Sequence, residues 1–185
     1  MLVTFQGRDD GEWAIESVTL LAGQNLPTAP RLAVIEKAVP DPKPVSWQLR
    51  GTVSNLRYTT RRERSALQAV QAPLTRREAT SAALIPIRKS NEWWQLAQDE
   101  RREIMEEQSR HIAIGMEYLP AIARRLHHCR DLGEPFDFLT WFEFAPEHTG
   151  QFNDMLLRLR QSPEWRYVDR EIDIRVSRIA ADRAG

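Results

Sequence analysis

HIAIGMEYLPAIARRLHHCRD, residues 111–131, is the stretch on which the reading of the fold turns. Up to residue 119 it reads as the end of a helix. Pro120 stops that helix, because proline has no amide hydrogen to donate and its ring clashes with the preceding turn. Beyond Pro120 the pattern changes to period two, and Ile122, Arg124, Leu126 and His128 share one face of a strand. A guanidinium on an otherwise apolar face is costly unless something anionic or polar meets it. His111 lies on a helical stripe with Ile104, Gln108 and Gly115, which is again apolar with a polar interruption. The two interruptions stand on consecutive elements and face inward, so a pocket holding a group between them is expected.

Working outward, residues 131–135 (Asp-Leu-Gly-Glu-Pro) read as the turn between a strand over 121–130 and a second over 136–144. In the second strand Phe136, Phe138, Thr140, Phe142 and Phe144 alternate with Asp137, Leu139, Trp141 and Glu143. Pro146 starts a helix with Phe152, Met155, Leu156 and Leu159 on its buried side. The last strand is expected over 165–179, where Ile172, Ile174 and Val176 alternate with Glu171, Asp173 and Arg175.

Upstream, Ser90 or Asn91 caps a long helical region reaching about residue 119, with a restart at Asp99 after a bend. Residues 85–89 are extended, since Pro86 disfavours helix at the residue before it. Thr60 and Glu63 have the spacing of a capping box, and the helix they open carries Leu67, Val70, Gln71 and Leu74 on one side. Thr75 and Glu78 repeat that signal ahead of a second short helix. Residues 47–58 read as a strand with Trp47, Leu49, Gly51, Val53 and Asn55 on one face. Residues 25–43, rich in Pro and Ala, read as a surface connection, and residues 3–21 as two short strands around the turn Arg8-Asp9-Asp10-Gly11. The second half closes as helix, strand, strand, helix, strand. The expected fold class is α+β, with ferredoxin-like halves forming an antiparallel β-barrel and helices outside it. The chain is expected to be one domain over 1–185, with pseudo-halves about 1–88 and 89–185.

The 26 basic and 26 acidic residues give a net charge of zero, which excludes the electrostatic footprint of a nucleic-acid or membrane-surface partner. Cys129 is the only cysteine, so no intrachain disulfide framework exists. The N-terminal residues MLVTFQGRDDGEW lack the pattern of a signal peptide and no segment has the length of a membrane span, so the cytoplasm is the expected location. Six tryptophans imply large apolar surfaces: a core, a dimer interface or a pocket for a ring-shaped cofactor.

Each candidate residue has a structural reading beside a chemical one. His111 is either a hydrogen-bonded buried histidine or a ligand. Arg124 is either half of a buried ion pair or a cation aimed into a pocket. Gln71 either caps a loose backbone group or restrains another side chain. Trp93 and Trp94, adjacent on a helix, cannot both face the core. Lys89 reads as solvated. His127 and His128 point to opposite faces of their strand and have no completing cysteine or carboxylate cluster, so they form no zinc site. Cys129 lies opposite Arg124 and is assigned no catalysis. A haem fits the pair of His111 and Arg124, with an imidazole on one side of the iron and a permanent cation on the other.

Four blocks carry a family resemblance: WQLRGTVSNLRYTTRRE (47–63), ALIPIRKSNEWW (83–94), RHIAIGMEYLPAIARRLHHCRDLGEPFDFLTWFEFAPEH (110–148) and SPEWRYVDREIDIR (162–175). Together they resemble the chlorite dismutase family, in its short dimeric lineage. The resemblance implies haem b (iron protoporphyrin IX) as cofactor and chlorite, a small anion, as substrate, converted to chloride and molecular oxygen in a detoxifying role. It implies His111 as the proximal iron ligand, Glu164 as the carboxylate accepting its other N–H, and Arg124 as the distal arginine restrained by Gln71. Tyr58 and Lys89 match positions near the haem propionates. Trp93 matches the proximal tryptophan, Trp94 a wall or subunit contact, and Ile85 and Leu119 apolar positions around the macrocycle. The chain lacks the extended N-terminal half and export signal of the longest members, which favours a homodimer over a pentamer.

The nearest rival readings are a coproheme decarboxylase relative, which generally lacks the distal arginine, and a dye-decolourising peroxidase, whose distal aspartate in a Gly-rich motif has no match here. A haem carrier or sensor needs no distal cation. A dimeric interaction module without cofactor needs none of these residues.

Overall fold

A computed structural model describes residues 1–36, 43–53 and 59–180. Eight strands form a closed antiparallel barrel: β1 (Leu2–Arg8), β2 (Trp13–Ala22), β3 (Arg31–Ile35), β4 (Trp47–Val53), β5 (Ser81–Lys89), β6 (Ala123–His128), β7 (Phe138–Phe144) and β8 (Val168–Arg178). Their order around the barrel is β1-β3-β2-β8-β5-β7-β6-β4, and β4 pairs with β1 to close it. The expected barrel with outer helices is therefore the observed fold. Closure leaves no sheet edge to pair with another chain.

Alternation sorts each strand into two faces. Trp47 and Leu49 of β4, Leu84 of β5, Leu139 and Trp141 of β7, and Ile172, Ile174 and Val176 of β8 fill the barrel with Phe5 and Trp13. The outward set, Ala83, Ile85, Ile87, Phe142 and Phe144, packs against Phe152, Met155, Leu156 and Leu159 of the helix α5 (Thr149–Arg160). Gly7 permits the Trp47 ring to lie across β1, since a Cβ there would come within 2.2 Å of the indole. The functional cavity lies on the outer side of β5, β7 and β6, not inside the barrel.

Several expectations are corrected. The connection predicted over 25–43 contains β3, which inserts between β1 and β2, so these two do not form a hairpin. The helix predicted after Thr75 is absent. Thr75 takes φ +66°, its amide donates to Glu143, and Arg76 donates to the Ala121 carbonyl, so the segment is pinned to the sheet. The last strand starts at Val168, because residues 163–167 wind into a 3₁₀ turn. The long helical region breaks into α2 (Asn91–Gln95), α3 (Gln98–Arg102), a π-helical stretch over Glu103–Gln108, and α4 (His111–Glu117). Ser90 caps the first of these, and Arg110 at φ +53° separates the last. That break takes Gln108 off the expected stripe and leaves it exposed.

The helix α1 (Arg61–Val70) is opened by the expected capping box: the Glu63 amide donates to Thr60 Oγ1, and the Thr60 amide donates to the Glu63 carboxylate. No helix among the described residues is long and apolar enough to cross a membrane.

His127 and His128 face opposite sides of β6, as alternation requires. His127 is fully buried, donates from Nδ1 to the Leu139 carbonyl at 2.9 Å and accepts from Arg125 Nε at 3.2 Å. Burial pushes its pKa down from 6.5 to about 4, with the Arg125 charge adding to the shift against the Leu139 bond. Between pH 6.5 and about 4 the unfolded chain binds a proton that the folded chain refuses, so stability falls with falling pH across that window. His127→Phe should flatten this acid slope by about 3 kcal/mol at most. Urea unfolding of both proteins at pH 7 and pH 4.5 measures it, and parallel losses would remove His127 from the acid response.

Candidate active site

A cavity of about 470 Å³ opens between the outer face of β5, β6 and β7 and the helical segments α1, α2 and α4. Strand period two aims its sheet wall: Ile85, Ile87 and Lys89 from β5, Arg124, Leu126 and His128 from β6, and Phe138, Thr140 and Phe142 from β7. The helical side supplies His111, Ile112, Trp93, Leu67 and Gln71. Trp165 and Glu164 enter from the 3₁₀ turn before β8.

His111 is placed by two local devices. Reversal of the backbone at Arg110 ends the preceding helical stretch and starts α4 at His111. The Glu106 carboxylate then accepts the amides of Ile112 at 2.7 Å and Ala113 at 3.3 Å, so the free amides of the new helix are met by a carboxylate. The ring of His111 lies nearly parallel to that of Trp165, with centroids 6.5 Å apart.

Behind His111 runs a buried polar chain. Its Nδ1 is 2.7 Å from Glu164 Oε2, and Glu164 Oε1 is 2.8 Å from Lys89 Nζ. The side chains of Glu164 and Lys89 are 3% and 4% exposed, so this pair is insulated from solvent. Ser109 Oγ accepts the Glu164 amide at 2.9 Å, tying the 3₁₀ turn to the residue two before His111. Burial pushes the Glu164 pKa up, but the charges of Lys89 and His111 and their hydrogen bonds outweigh it and hold the carboxyl well below the ordinary range. An ionised Glu164 makes Nδ1 the proton-bearing nitrogen of His111 and leaves Nε2 as the lone-pair nitrogen.

Lys89 reaches Glu164 and sits over the rings of Trp93 at 4.7 Å and Trp165 at 5.5 Å, a placement the sequence reading did not foresee. Glu164→Gln should lower the stability of the protein by about 3 kcal/mol, because it leaves the Lys89 ammonium buried without its counter-charge. A loss below 1 kcal/mol in urea unfolding, on the scale expected for a surface pair, would contradict the pairing.

Arg124 borders the same cavity from β6. Among the described residues its guanidinium makes no ion pair or hydrogen bond, and burial alone lowers its pKa from the ordinary arginine value. This differs from the other buried arginine contacts here, such as Arg160 with Glu171 and Asp173. Gln71, the C-cap of α1, donates from Nε2 to the backbone carbonyl of Arg124 at 2.8 Å. It therefore holds the strand at Arg124, and it does not bond the guanidinium. Arg64, exposed on α1, also lines the cavity.

Among the residues singled out from sequence, Gln71, Ile85, Lys89, Trp93, His111, Arg124 and Glu164 converge on this cavity. Leu119, half-buried after α4, is not in its lining, because α4 ends at Glu117 and the chain turns away. Tyr58 lies outside the described residues. Trp94 is half-buried, stacks on Phe138 and donates to Asp137, so it buttresses the cavity wall. Sequence reasoning passed over Trp165, His128 and Met105 as lining residues, and Ser109 and Glu106 as supports. The alternation of β6 carried the signal for His128; the others depend on helix breaks with no local signature.

The residues present fit a haem. A cavity with mainly apolar walls contains one imidazole whose Nδ1 is already occupied by a buried carboxylate, which is the arrangement of a supported axial ligand. Among the described residues no cluster of three or more His, Cys, Asp or Glu stands ready to hold a bare metal ion.

The family model for chlorite dismutase matches residues 40–180. The dimeric chlorite dismutase of Nitrobacter winogradskyi is 54% identical, with a TM-score of 0.90 over 96% of this chain and 99% of that one. A variant of the chlorite dismutase of Candidatus Nitrospira defluvii is 25% identical, with a TM-score of 0.60 over 74% of this chain and 56% of that one. A chlorite dismutase of Ideonella dechloratans is 34% identical over 86 residues, 46% of this chain, and the match spans only 28% of that relative's length. With the family model matching residues 40–180 and the barrel shared, this chain belongs to the chlorite dismutase family.

Proposed function

We propose that this chain is a haem b enzyme that converts chlorite to chloride and molecular oxygen, forming the O–O bond, in a detoxifying role. One observation carries the reading. A single cavity is bordered by His111, backed by the buried Glu164–Lys89 pair, and by an Arg124 guanidinium with no carboxylate partner among the described residues.

Haem, when bound, supplies the iron at which the chlorine–oxygen bond is cleaved. The chain's own residues do the rest. His111 would hold the haem iron through Nε2, while Glu164 fixes its tautomer and would increase its donor strength. Lys89 keeps Glu164 ionised and so acts through it. Arg124 would draw the chlorite anion into the cavity and keep its chlorine-bearing part from escaping. Ile85, Ile87, Leu126 and Phe142 keep the cavity poor in water, which strengthens the arginine's attraction and limits escape of oxidant. Gln71 steadies the backbone at Arg124. The balance is one chlorite to one chloride and one dioxygen.

A homodimer is the proposed assembly. Its support is the likeness to a dimeric relative and the exposed apolar residues Val18, Leu20 and Leu21 on β2.

An oxygen electrode with haem-loaded protein tests the reading. Rapid oxygen release, matched by chloride, is expected on adding chlorite. Haem uptake without oxygen release would move the assignment to a decarboxylase or peroxidase relative or a haem carrier. Failure to take up haem would leave an interaction module.

A further inference from the structure

Gly115 stands four residues after His111 on α4, on the same helix face. A Cβ built on it would meet three atoms of one side chain: Arg124 Nη1 at 2.4 Å, Cζ at 3.1 Å and Nη2 at 3.3 Å. The guanidinium therefore lies directly on the α4 backbone, in space that any other residue would fill. Gly115 is buried and has an ordinary backbone conformation, so no turn or positive φ requires a glycine there. Glycine in a helix is also disfavoured relative to alanine, so helix formation does not explain it either.

We infer that Gly115 is a positioning residue for Arg124: its missing side chain is the seat that sets where the guanidinium stands in the cavity. Gln71 holds the backbone of Arg124 from one side, and Gly115 admits its head group on the other. His111 and the seat belong to one short helix, so a single rigid element fixes the imidazole and the cation relative to each other. This inference rests on the reading of Arg124 as the anion-attracting group.

The test is well defined because the obstructed atoms are the end of a flexible side chain. In Gly115→Ala the fold survives, and Nη1 must retreat by about 1 Å to reach ordinary van der Waals contact. Two readouts follow it: the Arg124 position in a crystal structure of the haem-free variant, and the affinity of the ferric haem-loaded protein for fluoride. Fluoride is measured in wild type, Gly115→Ala, Arg124→Ala and the double variant. The expected result is a displaced guanidinium and fluoride binding weakened by about 3- to 10-fold in Gly115→Ala, a partial loss of the hydrogen bond to a charged group. In the Arg124→Ala background, Gly115→Ala should change affinity by less than about 2-fold, as two changes acting through one contact are not additive. Unaltered fluoride affinity in Gly115→Ala, or equal weakening in both backgrounds, overturns the inference. If Arg124→Ala itself leaves fluoride binding unchanged, the reading of Arg124 falls and the inference with it.

Discussion

Arg124→Ala is expected to lower oxygen release at sub-saturating chlorite by about 10- to 100-fold, the range for losing a hydrogen bond to a charged group. The side chain borders a cavity, and among the described residues no carboxylate relies on it, so its removal leaves no stranded partner. Folding stability should therefore hold while turnover falls. Two consequences separate this from a general disturbance of the site. Release of hypochlorite should increase, because the cation that holds the fragment is gone, and a hypochlorite trap reports it directly. Arg124→Lys should recover part of the rate, since it restores charge without the planar fork that orients an oxyanion. Equal rates and equal hypochlorite release in wild type and the alanine variant would take Arg124 out of the mechanism.

His111→Ala should weaken haem retention more than the about 10- to 100-fold that loss of a supporting partner costs. The nitrogen proposed to hold the iron is lost, and so is the group to which Glu164 is aimed. Glu164 keeps Lys89 at 2.8 Å, so the buried pair stays neutral overall and the apoprotein should remain folded. That separates this variant from Glu164→Gln, whose first effect is on stability. Haem titration followed by absorbance gives the affinity, and the spectrum of the loaded variant should lose the signature of an imidazole-ligated iron. Unchanged affinity with an unchanged spectrum would place the ligand elsewhere.

Much of this was legible in the chain. The period-two run after Pro120 placed Arg124 and His128 on one face, and the same alternation placed Phe138, Thr140 and Phe142 beside them. The capping box at Thr60 and the apolar stripe of α5 appear as read, because both are local signals with local causes. What escaped the reading depends on distant partners. β3 looks like a loop because its five residues are flanked by proline-rich segments, and only pairing with β1 and β2 makes it a strand. Thr75 and Glu78 mimic a helix start, but Glu143, 68 residues away, takes the Thr75 amide. Lys89 reads as solvated because nothing nearby announces that Glu164 is folded onto it. The six tryptophans divided in a way composition could not specify: Trp13, Trp47 and Trp141 fill the barrel, Trp93 and Trp165 line the cavity, and Trp94 buttresses its wall.

The barrel also stiffens the walls of the cavity. The sheet that carries Arg124 has its opposite face buried among large side chains, so the strand has little freedom to move. His111 sits on a short helix anchored by Glu106 and, through Ser109, by the turn that holds Glu164. Arg124 thus hangs from a stiff strand and His111 from an anchored helix, and Gly115 of that helix meets the guanidinium at the cavity they share.

The central claim is that both oxygen atoms of the product come from one chlorite ion held in this cavity. Haem-loaded protein given oxygen-18-labelled chlorite in unlabelled water, with the evolved gas read by mass spectrometry, tests it most directly. The account predicts doubly labelled dioxygen as the dominant product, with its yield collapsing in Arg124→Ala. Singly labelled dioxygen, or none, would contradict it.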